Sequence, residues 1–569
     1  MKRKINIKTI RPVALLLVML AIIGCSDDFL NVVPTNTYTE DTYYASDEAL
    51  RLAVDPLYNR AWFDFHGRSM FGLGSLRAGD AYNAYFMADF VRFQTTALTG
   101  QVGDAWKSIY AVVSMSNAVI DGVSNKCGSE VTQEAKDRAL GEVYLWRATA
   151  YFFGLRIWGP MILSEDNVEI VGAPIRPLNT EEDVFTFILR DLRRACDLLP
   201  ATEDPTGRAT VWAAKAMLAK VLLAHSGWNK PTRDESELAE CIKLCEEIIE
   251  KSGAKLIDYE DLFKYQNNIN KESLLAFRWR VAPSAIWGTQ NSLLSDISFA
   301  EVCDVECWGH DLCATPDMID LYNMDYLTHD SIRRRATFFI PGEHYSYIKS
   351  DKGGYTYPIG KDSPDRGWMQ LKKGVVGTLA DNDGNISTMN SPLHTHIIRL
   401  AEVHLTHAEA SLGNKAELTG GKGLASYNAV RDRAGVHTKG KINFQDIINE
   451  RRIEFSMEYQ TWFDMVTWYR WKPDFMLKYF KAQRRGYEIR NNSIRMNADG
   501  SISWNAFGYS DADGNLIWDS VEGYAEATES FVPTVITPEN IFIPYPEADR
   551  LMNPYLSQAP EPYDFSKYE

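Results

Sequence analysis

The sequence of 569 residues lacks the short patterns that mark the commonest catalytic machineries. It contains no G-x-S-x-G, H-E-x-x-H or P-loop pattern. Acidic residues are so abundant that two neighbouring carboxylates, as a glycosidase would need, carry no information by themselves. We therefore predict a protein that is not an enzyme and uses no cofactor.

Basic residues are fewer than acidic residues. The chain has 60 Lys and Arg residues against 76 Asp and Glu residues, which gives a formal net charge of −16. An acidic surface of this kind repels the phosphates of nucleic acids and the headgroups of anionic lipids. We therefore predict no nucleic-acid partner, and no membrane binding that depends on surface charge alone.

Cysteine is infrequent, with eight residues in the chain. Cys241 and Cys245 lie four apart on a predicted helix, where the geometry is poor for a disulfide, so we expect them to pack as small apolar groups.

A second group of cysteines is closer together in the sequence. Cys303, Cys307 and Cys313 share the segment CDVECWGHDLC with His310, and three thiolates with an imidazole could hold tetrahedral zinc. The spacing is not a common zinc pattern, however, and a disulfide or simple packed thiols are the alternatives. We predict packed thiols and no metal.

Long apolar runs are absent except at the N-terminus. Val13 to Ile23 form an unbroken run of 11 apolar residues after a basic start, too short to span a bilayer, and residues 1–24 are therefore predicted to be a signal peptide. The run ends in Ile-Ile-Gly-Cys, which resembles the bacterial lipobox and implies cleavage before Cys25 and acylation of that residue. Several acyl chains would anchor the protein in a membrane.

Helical periodicity dominates the rest of the chain. Predicted helices pair as 136–158 with 181–199, 208–226 with 236–251, and 396–412 with 421–433, and a single long helix is predicted over 442–471. Stacked antiparallel pairs resemble tetratricopeptide repeats. The predicted fold is thus mostly α, a tetratricopeptide-like scaffold with a large irregular face and a few short β-hairpins.

Two long stretches, 267–395 and 485–569, are predicted to be irregular and rich in Gly, Asn and aromatic residues. DNDGN at 381–385 and DADGN at 511–515 are turn signals that predict β-hairpins. A calcium loop is the alternative at each, although neither segment has glycine where an EF-hand requires it.

Five motifs occur in an order that resembles the SusD/RagB family of nutrient-binding outer-membrane lipoproteins of Bacteroidetes. They are CSDDFLNVVP (25–34), GEVYLWRATAYFFGLRIWGPMIL (141–163), AEVHLTHAEASL with YNAVRDRAGV (401–436), NERRIEFSMEYQTWFDMVTW (449–468) and IFIPYPEADRLMNPYLSQAP (541–560). From the residues alone, we read the fourth motif as structural, with helix-surface ion pairs among Glu450, Arg451, Arg452 and Glu454.

The resemblance implies one SusD-like domain over 25–569, with an N-terminal part of about 25–265 and a loop-rich, C-terminal part of about 266–569. It implies a lipid-anchored protein on the outer surface of the outer membrane that binds an oligosaccharide and passes it to a SusC-like TonB-dependent transporter. The residues SDD after Cys25 resemble the family's surface-export signal. A peptide ligand, or a scaffold without a small ligand, are the alternatives.

Sugars stack their C–H faces on aromatic rings and need polar partners for their hydroxyls. Two clusters have this composition and fall in regions where the family usually places ligand contacts. We predict ligand contacts at the following residues, with Trp287 the strongest because it lies in a Pro-, Gly- and Ser-flanked loop: Arg77, Asp80, Tyr82, Asn83, Tyr85, Trp279, Arg280, Trp287, Gln290, Asn291 and Trp308.

Overall fold

The computed structural model describes residues 43–83, 85–202, 204–323, 330–358, 369–486, 494–496, 502–504, 509–510, 516–517 and 534–568. The predicted signal peptide, the acylated Cys25 with its SDD segment, and the DADGN turn lie outside the described residues. Within them, no helix is both long enough and apolar enough to cross a bilayer.

Helices make up most of the described chain. In the first part they are α1 Asp47–Val54, α2 Ala88–Arg92, α3 Gly100–Asn125, α4 Gln133–Trp158, α5 Asn167–Gly172, α6 Glu181–Leu198, α7 Val211–Gly227 and α8 Glu235–Lys251. In the second part they are α9 Leu294–Ile297, α10 Pro316–Asn323, α11 Ser331–Thr337, α12 Leu400–Leu412, α13 Gly421–Arg433, α14 Phe444–Phe455, α15 Thr461–Trp471, α16 Pro473–Ala482 and α17 Glu547–Met552.

The predicted helix pairs are confirmed. Helix α4 packs against α6, α7 against α8, and α12 against α13, while α6–α7 and α8–α12 contacts join the pairs into one array. Asp191, the single charge on the apolar face of α6, accepts two hydrogen bonds from Arg147 of α4, at 2.7 and 2.9 Å. Both side chains are buried, so this ion pair fixes how the two helices face each other.

The single helix predicted over 442–471 is wrong, because the chain breaks between α14 and α15. Met457 and Tyr459 adopt φ values of 60° and 66°, which are left-handed and end the helix. The carboxylate of Asp80 accepts hydrogen bonds from the backbone N–H of Met457 at 3.2 Å and the hydroxyl of Thr461 at 2.8 Å. Asp80 therefore supplies the acceptors that the interrupted backbone needs.

Strands are short and come in antiparallel pairs, which agrees with the predicted fold class. The strands are β1 Ser273–Phe277, β2 His344–Tyr345, β3 Tyr355–Thr356, β4 Thr395–Arg399, β5 Ile494–Met496, β6 Ile502–Trp504, β7 Tyr509–Ser510 and β8 Leu516–Ile517. Strand β1 pairs with β4 and carries the chain directly towards Trp279, whereas the sequence predicted a helix start at residue 396 where β4 lies.

The segment DNDGN forms a turn as predicted, but the turn does not connect two paired strands of a hairpin among the described residues. A 3-10 turn over Ala380–Asn382 is followed by positive φ values at Asp383 and Gly384. The Asp381 carboxylate accepts hydrogen bonds from the backbone N–H groups of Lys349, Ser350 and Thr378 at 2.7 to 2.8 Å, and it therefore ties two loops together.

The motif NERRIEFSMEY is structural, but its charges do not form the helix-surface pairs that the sequence predicted. Glu450 and Glu454 are buried and accept hydrogen bonds from Arg333 of α11, while Arg451 donates to Glu402 and Asp464. The partners come from other elements because the second half of helix α14, from Glu450 to Phe455, lies in the interior, where each charge needs an opposite charge nearby.

Acidification should destabilise the fold below about pH 6.5. Burial lowers the pKa of His66 and His394 to about 3 and that of His404 to about 4, from an ordinary 6.5. The unfolded chain therefore takes up protons between pH 6.5 and 4 that the native state does not, and stability is lost as the pH falls. Asp80, whose pKa burial raises to about 6, opposes this effect, as do other groups whose pKa is raised in the native state, such as Asp330 and His225.

We expect the melting temperature to fall between pH 7 and pH 5, measured by calorimetry at constant ionic strength. His404→Leu removes one buried neutral imidazole, whose Nδ1 has no hydrogen-bond partner among the described residues. This variant should show a shallower fall, and a pH profile identical to that of the wild type would contradict the assignment.

Candidate functional site

Trp287 lies on the surface, with 63 % of its side chain exposed. Its ring packs edge-on against Phe63, with the ring centroids 5.3 Å apart, and Arg60 donates a hydrogen bond to its carbonyl oxygen at 2.5 Å. The following Gly288 has φ +98°, and its N–H donates to the side chain of Gln290 at 2.9 Å. The exposed indole of Trp287 is thus held in place by the ring of Phe63 and by a turn that hydrogen bonds from Arg60 and to Gln290 stabilise.

A second aromatic group lies around Arg68. Trp308 is partly buried and donates from its indole N–H to the carboxylate of Asp296 at 2.6 Å. Arg68 donates to the same carboxylate at 2.8 to 3.2 Å, and its guanidinium lies 4.9 Å from the ring centroid of Phe86. Phe86 and its neighbour Tyr85 are 38 % and 55 % exposed, so apolar ring surface is open to solvent here too.

One irregular helical segment supports both groups. Arg60 and Phe63 contact Trp287, and Arg68, on the π-helical turn Phe65–Ser69, contacts Asp296 and Phe86. Between them lies the half-buried Gly67, where an added Cβ would come 3.6 Å from the hydroxyl of Ser292. We call the five aromatic residues around this segment, Phe63, Tyr85, Phe86, Trp287 and Trp308, the aromatic strip; Tyr85, Phe86 and Trp287 are exposed, and Phe63 and Trp308 are half-buried.

The rings of Tyr85, Phe86 and Trp287 are exposed to solvent. A cavity of about 220 Å³ lies elsewhere and is lined by residues such as Arg208, Trp212, Asn270 and Arg278, none of which belongs to the aromatic strip. Exposed rings outside a cavity suit an extended ligand, because a chain can continue past either end.

Several predicted contact residues are instead in the interior. Arg77 is fully buried, with its guanidinium 4.0 Å from the ring centroid of Phe93, and it donates to the backbone carbonyl of Asn540. Asp80 is fully buried at the break before α15. These two side chains join distant parts of the chain and are out of reach of a surface ligand.

Tyr82 and Asn83 are also fully buried. Tyr82 pairs through its backbone with Cys313, and the Asn83 side chain accepts hydrogen bonds from the N–H groups of Tyr85 and Met87 at 3.0 and 3.2 Å. Asn83 thus shapes the turn that exposes Tyr85, the one member of this cluster that reaches the surface.

The second predicted cluster, residues 279–291, also contains both buried and exposed side chains. Trp279 is 3 % exposed, and its indole N–H donates to Thr395 of β4 at 3.0 Å, because the strand pairing draws it into the core. Gln290 and Asn291 are buried and hold backbone groups of Gly288 and Leu293. Arg280 is exposed and its backbone N–H pairs with Thr289, so it shares the loop of Trp287.

The sequence did not single out Arg60, Phe63, Arg68, Phe86 or Asp296. Phe63 directly follows the fully buried Trp62, and Phe86 directly follows Tyr85. Two adjacent side chains point in different directions, so such pairs in the sequence could have indicated exposed rings. The pairing of Arg68 with Asp296 joins residues 228 positions apart, for which no local signal exists.

Among the described residues, no group of three or more His, Cys, Asp or Glu side chains is arranged to hold a metal ion. The sulfur atoms of Cys303 and Cys307 are 2.6 Å apart, whereas Cys313 is buried next to the backbone of Tyr82.

Two family models match the chain, one described as SusD family over residues 291–561 and one described as starch-binding associating with outer membrane over residues 72–223. A SusD-like protein of Bacteroides ovatus is 48 % identical over 549 residues, which cover 96 % of each chain.

Solved structures agree with this likeness. A crystal structure with xylogluco-oligosaccharide has 46 % identity and a TM-score of 0.80, and the match covers 91 % of this chain and 99 % of the other. A SusD-like protein from Bacteroides fragilis shares the fold at 20 % identity and a TM-score of 0.64, with coverage of 91 % and 97 %.

Proposed function

We propose, from the premise that this chain belongs to the SusD family, that it binds oligosaccharides of the xyloglucan class on the aromatic strip and does not act on them as an enzyme. The observation that carries the proposal is the exposed indole of Trp287, held in place by Phe63 and Arg60. The related crystal structure with xylogluco-oligosaccharide supports the ligand class.

The chemistry of the strip suits a glucan backbone. Aromatic rings stack on the C–H faces of pyranose rings, and fixed rings lose little conformational entropy when a ligand binds. The indole of Trp308 is fixed by Asp296, and the charges of Asp296 and Arg68 compensate each other. The pair of Asp296 and Arg68 therefore carries no net charge that would attract an ionic ligand to Trp308.

We also propose that the protein is anchored to the outer membrane through an acylated Cys25 and works with a SusC-like TonB-dependent transporter. The lipobox-like sequence before Cys25 and the family description that refers to the outer membrane support this placement. Growth with labelled palmitate should label the wild-type protein, and Cys25→Ala should abolish the label; an equally labelled variant would contradict the anchor.

The ligand proposal is tested by calorimetry with a xyloglucan oligosaccharide, a cello-oligosaccharide, laminarin and a mixture of short peptides. Binding of the xyloglucan oligosaccharide, with no new reducing ends after prolonged incubation, is the expected result. Binding of peptides alone would overturn the glycan assignment, and release of reducing ends would overturn the non-enzymatic one.

A further inference from the structure

The loop that carries Trp308 is closed at its neck by hydrogen bonds. Phe299 and Trp308 form an antiparallel bridge, Trp308 N–H donates to the carbonyl of Ser295 at 2.8 Å, and the Ser295 hydroxyl donates to the carbonyl of Glu306 at 2.8 Å. The residues between them form bends and turns without a helix or strand.

Within this loop, Cys303 and Cys307 bring their sulfur atoms to 2.6 Å from each other. Cys303 is buried and Cys307, directly before Trp308, is partly exposed. The hydrogen bond between the two thiols lowers the pKa of Cys303 to about 7 and raises the pKa of Cys307, so the pair loses one proton near neutral pH and shares the other.

We propose that Cys303 and Cys307 form a disulfide by exchange with an external disulfide, and that this bond holds the loop so that Trp308 keeps its place in the aromatic strip. The second half of this inference rests on the proposed function, because it needs Trp308 to contact the ligand. The first half concerns the thiols alone.

The thiol–disulfide exchange needs no oxidant other than the external disulfide. The proton shared between the two sulfur atoms passes to Cys303, and the partly exposed Cys307 thiolate attacks one sulfur of the external disulfide, which forms a mixed disulfide and releases one thiolate. The released thiolate takes up the proton of Cys303, and the Cys303 thiolate then attacks the Cys307 sulfur, which forms the internal bond and releases the second thiolate. The two cysteines lose two electrons and two protons, and the external disulfide gains them as two thiols.

A disulfide at Cys307 would restrict the backbone of Trp308, because the two residues are adjacent. Trp308 is bonded to Cys307 through one peptide unit and reaches Asp296 through its side chain at 2.6 Å. A closed ring over residues 303–307 limits the backbone conformations of the loop and reduces the entropy lost when a ligand orders it. Opening the ring should therefore weaken glycan binding without removing it.

The chain contains a matched comparison with the same spacing. Cys241 and Cys245 are also separated by three residues, but they lie on helix α8 and are both fully buried. Helical backbone holds the two Cβ atoms in positions unsuited to a disulfide, and burial denies access to an external disulfide. They should stay reduced under conditions that oxidise Cys303 and Cys307.

The test incubates the purified chain with oxidised glutathione, alkylates free thiols in denaturant and locates the alkyl groups by mass spectrometry. We expect Cys303 and Cys307 to escape alkylation until a reductant is added, while Cys241 and Cys245 are alkylated. Alkylation of both Cys303 and Cys307 without reductant would overturn the disulfide.

Affinity for a xyloglucan oligosaccharide is then measured for the oxidised protein, the reduced protein, Cys303→Ser, Cys307→Ser and the control Cys241→Ser. The dissociation constant should rise about two- to tenfold on reduction and in either loop variant, the expected cost of ordering one or two side chains. Cys307→Ser, at the partly exposed position, serves if Cys303→Ser does not fold.

Equal affinity of the oxidised protein and the loop variants would overturn the link to Trp308. A wild type that binds no glycan in either redox state would instead count against the proposed function, and the alkylation result would still decide whether the disulfide forms.

Discussion

Trp287→Ala should abolish most of the affinity for a xyloglucan oligosaccharide while leaving the fold as stable as before. The side chain is 63 % exposed, so its removal opens no cavity, but it takes away the largest exposed ring of the aromatic strip. Aromatic residues at the centre of binding surfaces contribute at least about 2 kcal/mol on truncation, equivalent to a 30-fold or larger loss. Calorimetry and thermal unfolding give the two measurements.

Trp279→Ala is the matched control, eight residues earlier in the same chain segment. Trp279 is 3 % exposed and donates to Thr395, so its truncation should cost about 3 to 5 kcal/mol of folding free energy. Trp287→Ala should therefore lose affinity and keep its stability, whereas Trp279→Ala should lose stability. A large loss of stability in Trp287→Ala, or unchanged affinity, would show that the indole is not a ligand platform.

Trp279 is buried and Trp287 is exposed, and the sequence alone did not predict this difference. Both lie in a segment rich in aromatic and polar residues, and composition favoured both as ligand contacts. The pairing of β1 with β4 decides between them, because it turns Trp279 towards Thr395 and His66 and leaves the next loop outside. That pairing joins residues more than 100 positions apart, which local patterns do not encode.

The helix pairs, in contrast, could be predicted because each helix carries its own apolar face. Helix α6 has a Thr180 cap, acidic residues in its first turn and a continuous buried stripe, all visible in the sequence. The break between α14 and α15 could not be predicted in this way. It depends on Asp80, which comes from a part of the chain about 380 positions away.

Replacing Glu454 by Gln should produce a large loss of stability. Its carboxylate is fully buried and accepts hydrogen bonds from Arg333 at 2.9 Å, from Arg399 at 2.6 Å and from Arg433. These contacts hold the pKa of Glu454 far below its usual range, against the effect of burial.

The network around Glu454 is balanced in charge. Its ion pairs among the described residues join five basic and five acidic side chains, namely Arg333, Lys373, Arg399, Arg431, Arg433, Glu272, Asp330, Glu450, Glu454 and Glu458. Gln keeps the shape of Glu but removes one negative charge, so one buried positive charge is left without compensation. Breaking a buried ion pair in this way costs about 3 to 5 kcal/mol.

Glu417→Gln makes the same chemical change on the surface, where Glu417 pairs with Lys441 and both side chains are exposed. Water solvates the remaining charge there, so the urea midpoint should not move. The midpoint of Glu454→Gln should fall well below that of the wild type, and its acid sensitivity should decrease because the titrating group is gone. Equal midpoints for the two variants would mean that the buried network does not hold α14 in the core.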